Sequence, residues 1–377
     1  MKIELSEEQI NRQKEFKAYV DNELISYADV NDEQEFLDPQ CIKTLASKGY
    51  LGSMISKKYG GMGMDNITIG ILNEEIGRAC SSTRSLLTVH GMVALAVNRW
   101  GTDEQKSYWL PKMAQGEIIG AFGLTEPDIG CDAKNIGTTA IHKEDCYIIS
   151  GKKKWTTMGQ VADLFLIFAQ HYGKPTAFLV ERNCPGLSIQ PIHGLLGARA
   201  SMIALLHLED CRIPEKNLVG GVGTGLTHVA QSSLDYGRYT IACGCVGLAQ
   251  ACLEECIRYA RKRKQFGVPL RQHQLIQKMI TEMVVNIEAA RLLCHKAGYM
   301  KDLGEPDSII QTWIAKYFAS TIVGKVSSDA VQIHGANGCS SQYPVERYFR
   351  DAKINEIIEG TTQMHELLIS TNAFRSH

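Results

Sequence analysis

The sequence lacks an excess of charge of either sign: 40 Lys and Arg face 41 Asp and Glu, a formal −1 over 377 residues. It therefore offers no electrostatic footprint for a nucleic-acid partner. No uninterrupted apolar run approaches the roughly 18–20 residues that span a bilayer. Met1–Gln9 holds Glu4, Glu7 and Glu8, with neither a basic-then-apolar signal nor an Arg/Ser-rich transit segment. The expectation is a soluble, cytoplasmic protein with no membrane partner. The twelve cysteines include no paired C-x-x-C motif, and no His cluster falls at zinc spacing, so no metal centre is expected. Disulfides are not expected either, and most cysteines read as small buried hydrophobes. There is no internal repeat and no low-complexity tract.

What is present is length and pattern. A chain of 377 residues suggests two or three domains around a common core. Residues 1–118 read as helical. Ser6 before Glu7, Glu8 and Gln9 is an N-cap signal, and Asp38-Pro39 opens another helix. Asn66–Ala79 and Thr83–Trp100 are dense in Ile, Leu and Val and read as buried helices. Gly120–Gly130 reads as turn-rich. Residues 119–220 then carry short β-type runs between turn residues: Tyr147–Ser150, Leu164–Ala169, Thr176–Val180, Leu187–Ile192 and Ala204–Leu208. Gly220-Gly221-Val222-Gly223 marks a linker. Residues 221–377 are helical again, with one helix to Lys264, a second from Leu275 to about Lys301 and a third from Ser308 to Ile333. Helices this apolar need partners, either each other or another subunit.

One late stretch holds a candidate catalytic acid. Glu359 follows Ile357 and Ile358, whose bulk strips water from a carboxyl and raises its pKa towards neutrality, as a general base requires. Gly360 lets the backbone approach a ligand. Thr361 and Gln363 add donors and acceptors. The plain alternative is an ordinary helix end.

Seven stretches, in order along essentially the whole chain, resemble the acyl-CoA dehydrogenase family of flavoproteins. They are Leu124-Thr-Glu-Pro-Asp-Ile-Gly-Cys-Asp132, Gly151-Lys-Lys-Lys-Trp-Thr-Thr157, Leu208-Glu-Asp-Cys-Arg-Ile-Pro214, Arg263-Lys-Gln-Phe-Gly267, Gln332-Ile-His-Gly-Ala-Asn-Gly338, Tyr343-Pro-Val-Glu346 with Arg350-Asp351, and Glu359-Gly-Thr-Thr-Gln363. The resemblance implies an α+β fold: an N-terminal helical domain, a β-barrel-like middle domain and a C-terminal four-helix bundle. It also implies FAD between the middle and C-terminal domains. Phe122, Leu124 and Thr125 match the strand along the isoalloxazine, and Trp155 and Thr157 match residues flanking it near N5, where donors tune the flavin. Cys131 stands near the pyrophosphate where the family usually has Ser, a better donor. Gln332, Gly335 and Ala336 match the loop over the ADP portion, Ala336 replacing a usual Gly. Thr361 and Gln363 complete the cofactor set. Arg263, Gln265 and Phe266 match a segment that reaches FAD bound mainly by another subunit, with Arg263 on the pyrophosphate. This implies at least a homodimer, and a homotetramer built as a dimer of dimers. Trp155 could instead be an ordinary aromatic; in Arg261–Lys264, Arg263 is expected to be functional and its neighbours a solvated helix end.

The chemistry so implied is α,β-dehydrogenation of an acyl thioester on CoA or on an acyl carrier protein. A base takes the α proton, the β hydride goes to flavin N5, and the base residue's N–H with a ribityl hydroxyl polarises the carbonyl. Electrons leave to an electron-transfer flavoprotein or to O2. Glu359 matches the base of the short- and medium-chain enzymes; the isovaleryl and long-chain branches place it at the position of Gly237. Asp235 and Arg238 lie beside the active site or form a structural ion pair. Ser82–Gly91 falls on the acyl pocket, where Arg84 and His90 suit a short or polar acyl group. The alternatives are Arg84 in solvent and His90 as a satisfied core histidine. The run from Ser82 to Met92 looks like the subgroup of polyketide and nonribosomal-peptide (antibiotic) pathways that oxidises small acyl groups on a carrier protein, for example towards hydroxymalonyl extender units. Competing readings are an oxidase or monooxygenase on the same fold, and a non-catalytic scaffold. Glu359, Thr157 and Arg263 together speak against the scaffold.

Overall fold

A computed structural model describes residues 4–376. Helix α1 (Glu7–Tyr19) begins where the Ser6 hydroxyl accepts from the Gln9 N–H and the Gln9 side chain accepts from the Ser6 N–H. Helices α2 (Ala28–Gln34) and α3 (Pro39–Ser47) follow, the latter capped by Asp38 with Pro39 in its first turn. Asp65 caps α4 (Asn66–Ala79), Cys80 caps α5 (Ser81–Trp100), and Thr102 caps α6 (Asp103–Ala114). Each cap satisfies a first-turn N–H that has no partner within the helix.

Strands β1 (Gly120–Gly123), β2 (Thr139–Lys143), β3 (Cys146–Thr156), β4 (Leu164–His171), β5 (Lys174–Glu181), β6 (Leu187–Pro191), β7 (Ala204–Pro214) and β8 (Leu218–Val219) form one sheet. Its order is β6-β7-β3-β2-β4-β5-β8, and β1 pairs with β4 in parallel. The stretch from Gly120 is thus a strand before it is a turn, with Phe122 opposite Leu166. Strand β4 reads Leu-Phe-Leu-Ile-Phe-Ala and is buried on both faces, as a continuous apolar run predicts.

A π turn at Gly225–Ala230 leads into α7 (Gln231–Lys262). The small hairpin β9 (Lys264–Gln265) and β10 (Val268–Pro269) follows, then α8 (Gln274–Asp302), α9 (Ser308–His334), α10 (Val345–Ile357) and α11 (Thr362–Ser376). Helix α7 is the axis of the molecule and packs on α4, α5, α8 and α9. The segment Gly225–Lys262 is apolar and long enough to cross a membrane, with a mean hydropathy of 1.3 over 18 residues, yet 78% of that window is buried inside the fold. This corrects the expectation that nothing reaches spanning length. The segment escapes a search for uninterrupted aliphatic runs because glycines, Thr240 and cysteines break it up. Most of the cysteines are buried, and all are free.

Candidate active site

After α10 the chain turns left-handed, with φ of 55° at Glu359 and 96° at Gly360. A non-glycine residue there costs on the order of 1–3 kcal/mol and persists only where its surroundings over-determine it. Here they do. Arg238 Nε donates to the Glu359 carbonyl at 3.0 Å, Lys316 Nζ to the Gly360 carbonyl at 2.7 Å, and His365 Nδ1 to the Thr361 carbonyl at 3.0 Å. Three successive carbonyls are held by basic side chains from α7, α9 and α11.

The carboxyl lies on the other side of the turn. Its Oε2 is buried with no hydrogen-bond partner. A Cβ on Gly237 would stand 2.7 Å from that oxygen, so Gly237 is the floor beneath the carboxyl. Gly237→Ala is expected to push Glu359 aside, costing about 1–3 kcal/mol of stability as overpacking and about tenfold in turnover. A denaturant midpoint and a steady-state rate check both.

Burial raises the Glu359 pKa up to about 7, against the pull of Arg238, Lys316 and Arg84. A carboxylate poised there serves as a base near neutral pH. None of these three cations has a carboxylate oxygen within ion-pair range among the described residues. Arg84 is only 2% exposed, which rules out the solvent reading. It donates to neutral groups alone: Thr88 Oγ1 and Ser85 Oγ at 3.1 Å, and Asn355 Oδ1 at 3.4 Å. Gly244 makes room for it, because a Cβ there would lie 2.7 Å from Arg84 Cδ.

His90 is a correction. It is fully buried, its Nδ1 accepts from the Gly120 N–H at 3.2 Å, and its Nε2 donates to the Met113 carbonyl at 3.1 Å. Burial pushes its pKa down to about 4. With both nitrogens engaged it is a core histidine tying α5 to β1, not a substrate group. Asp235 pairs with Lys301 rather than with Arg238. That pair lines a cleft of about 630 Å³ with Met64, Leu95, Trp100 and Tyr239.

A second group gathers at one end of the sheet. Phe122, Leu124 and Thr125 end β1 and follow it, and Trp155 and Thr157 end β3 and follow it. The Lys154 N–H donates to the Thr125 carbonyl at 2.8 Å and ties the two segments together. Behind them, wholly buried Lys153 donates to Glu126 Oε1 at 2.6 Å and to the Leu124 carbonyl at 3.2 Å. Glu126 also accepts from the Gly137 and Thr138 N–H groups and the Thr138 hydroxyl. Trp155 has φ 62° and is 50% exposed. The Thr125 and Thr157 hydroxyls engage no partner among the described residues. A half-exposed indole flanked by two free hydroxyls fits a flat ring with a hydrogen-bonding edge, as an isoalloxazine is.

The other expected cofactor residues lie on open surface. Cys131 is exposed, as are Gln332, Gly335, Ala336 and Gln363; Thr361 is half-buried. Arg263, Gln265 and Phe266 stand on the β9–β10 hairpin, Phe266 with φ 54° and 94% exposed. Lys316, His365, Lys153 and Glu126 were not singled out by sequence, where lysine within a helix or strand reads as surface.

A sheet edge that fits a flat ring and a carboxyl held near neutrality are features of an FAD-dependent oxidoreductase, and the comparisons with known proteins agree. Residues 6–117, 121–211 and 223–374 match the profiles of the acyl-CoA dehydrogenase N-terminal, middle and C-terminal domains. The chain belongs to the acyl-CoA dehydrogenase family, whose members use FAD. It is 38% identical to the short-chain specific acyl-CoA dehydrogenase of Clostridium acetobutylicum over 100% of both chains. It is 35% identical to the glutaryl-CoA dehydrogenase of Desulfococcus multivorans, over 98% of this chain and 97% of that one. Among solved structures, butyryl-CoA dehydrogenase from Megasphaera elsdenii superposes with TM-score 0.95 at 32% identity, covering 99% and 100% of the two chains. The prolyl acyl carrier protein oxidase AnaB superposes with TM-score 0.94 at 30% identity, covering 98% and 100%.

Proposed function

We propose that this chain removes the α and β hydrogens of a short, polar acyl thioester, with Glu359 as the α-proton base. The observation that carries this reading is the buried, unpartnered Glu359 carboxyl with its pKa near 7. A carboxyl so placed is ionised at working pH and as basic as that allows, which is what abstraction of a polarised α proton needs. The Glu359 N–H has no acceptor among the described residues, which leaves it free to polarise the thioester carbonyl. FAD, when bound, supplies the acceptor for the β hydride. Phe122, Leu124, Thr125, Trp155 and Thr157 would hold its ring. Cys131, Gln332, Gly335, Ala336, Thr361 and Gln363 would line the remainder. Arg263, Gln265 and Phe266 would reach the FAD of a neighbouring subunit in a homodimer or homotetramer. The exposure of Phe266 supports that role.

The acyl group is read from Arg84. A buried guanidinium whose partners are all neutral is costly, and a carboxylate at the end of a short acyl group supplies what it lacks. Likeness to both a glutaryl-CoA enzyme and a carrier-protein oxidase supports polar acyl groups on either carrier. Reoxidation goes to an electron-transfer flavoprotein or to O2, separable by the rate of recolouring in air.

The test is anaerobic flavin bleaching with a panel of short acyl-CoAs and the same acids on an acyl carrier protein. Bleaching with none of them, in protein full of FAD, overturns the reading. Arg84→Gln is expected to lose about 10–100-fold in kcat/KM on polar acyl groups, the worth of one charge-assisted contact, and to spare butyryl thioesters. An equal loss on both would remove Arg84 from substrate recognition.

A further inference from the structure

We propose that Lys316 is a positioning residue for the α-proton base. It holds the Glu359–Gly360 turn through the Gly360 carbonyl and supplies positive field that keeps the Glu359 carboxyl ionised. This rests on Glu359 being the base.

Lys316 sits within α9 and is wholly buried, on a face shared with Thr312, Ala315, Ala319 and Ser320. Its single hydrogen bond is the 2.7 Å contact to the Gly360 carbonyl. Lysine is rarely fully buried without a charged partner, and burying an ammonium in a helix face of this kind is unfavourable unless something nearby compensates. The carboxylates that face it are Glu359 and Glu356. Glu356 is already engaged by Lys353 at 2.8 Å. Glu359 has no such partner, so it is the carboxylate left for Lys316.

Two of the groups around the pair are neutral, and two are cations that act alongside Lys316. Cys245 of α7 faces Lys316, and burial pushes its thiol up to about 12, so it stays neutral. His365 of α11 faces Lys316 as well, and burial pushes it down to about 4, so it too stays neutral. Arg238 of α7 and Arg84 of α5 also face Glu359. Arg238, bonded through Nε to the Glu359 carbonyl, and Arg84, held by α5 hydroxyls and Asn355, add to the same positive field, so Lys316 supplies a share of it. Lys316 thus acts on the base from the core side, where water cannot screen it.

Two variants divide the role. Lys316→Met removes both the donor and the charge; Lys316→Gln keeps a donor and removes the charge. Two readouts apply. One is the infrared band of the protonated carboxyl that disappears in Glu359→Gln, titrated in substrate-free protein. The other is the pH dependence of single-turnover flavin bleaching. Both variants are expected to move the carboxyl midpoint and the acid limb up by on the order of one pH unit, about tenfold in rate below the midpoint. Lys316→Gln should keep more of the alkaline plateau than Lys316→Met. If Lys316→Met does not fold, Lys316→Gln carries the titration. Unmoved midpoints overturn the proposal and leave Glu359 as base. Bleaching that survives in Glu359→Gln overturns the base assignment, and this proposal with it.

Discussion

Glu359→Gln is expected to keep its FAD and to lose flavin bleaching by about 10²–10⁴-fold, the usual worth of a positioned general base. The substitution changes the carboxyl and leaves the turn alone. Arg238, Lys316 and His365 hold backbone carbonyls, not the Glu359 side chain. The Glu359 N–H therefore stays in place, and substrate binding should change little. In the wild type, bleaching should fall as pH drops below about 7, where Glu359 becomes protonated. Stability runs the opposite way. The folded-state pKa is raised above the ordinary carboxylate value of 4.5, so the folded chain binds this proton more tightly than the unfolded one. Ionising Glu359 then costs stability progressively from about pH 4.5 to about pH 7, and the cost persists above that. Glu359→Gln should consequently melt higher than wild type at pH 8 and much the same at pH 4. A variant that bleaches at the wild-type rate would place the base elsewhere.

Lys153→Met is expected to destabilise the middle domain by about 3–5 kcal/mol, the range for breaking a buried pair by removing one partner. Glu126 would be left with its Thr138 and Gly137 donors but without its cation. Lys153 also anchors the Leu124 carbonyl, next to Thr125, so the damage should spread to the flavin edge. The expected signature is a lower denaturant midpoint together with weaker FAD retention on gel filtration. Glu126→Gln should be milder, because an amide oxygen still accepts from the Thr138 donors. Loss of stability with undiminished FAD retention would show that Lys153 supports the sheet alone.

Much of this was legible in the chain, and the parts that were not share a cause. Helix α4 was readable to the residue because its apolar density acts locally; its cap, Asp65, is supplied by the structure. Strand β4 was readable because a run of six apolar residues has few other uses. Strand β1 was not, since Gly-Ala-Phe-Gly has turn composition and becomes a strand only by pairing with Leu164–Ile167, some forty residues on. Helices α10 and α11 were not read either, because Arg, Lys and Asn mask their apolar faces. At the site, Glu359 announced itself through its apolar neighbours and its motif. Arg84 did not reveal its burial, because arginine is ordinarily at the surface and only Gly244, from another helix, makes room for it. The left-handed backbone at Trp155, Phe266 and Glu359 was equally silent, since none of those residue types prefers it. Lys316 and Lys153 are the extreme case: in sequence they resemble the many lysines that stand in water.

The contact between Gly237 and Glu359 constrains how such an enzyme can evolve. The resemblance places the base of different branches at one position or the other, and here the two touch: a carbon at 237 would fall 2.7 Å from Glu359 Oε2. The cavity has room for one acidic side chain, and two would repel and share a proton. A lineage moving its base from one position to the other cannot carry both on the way, and it loses the base if it gives up the first before gaining the second. The move is therefore a paired exchange across two distant codons, and each single-substitution ancestor on either route would have been a poor catalyst.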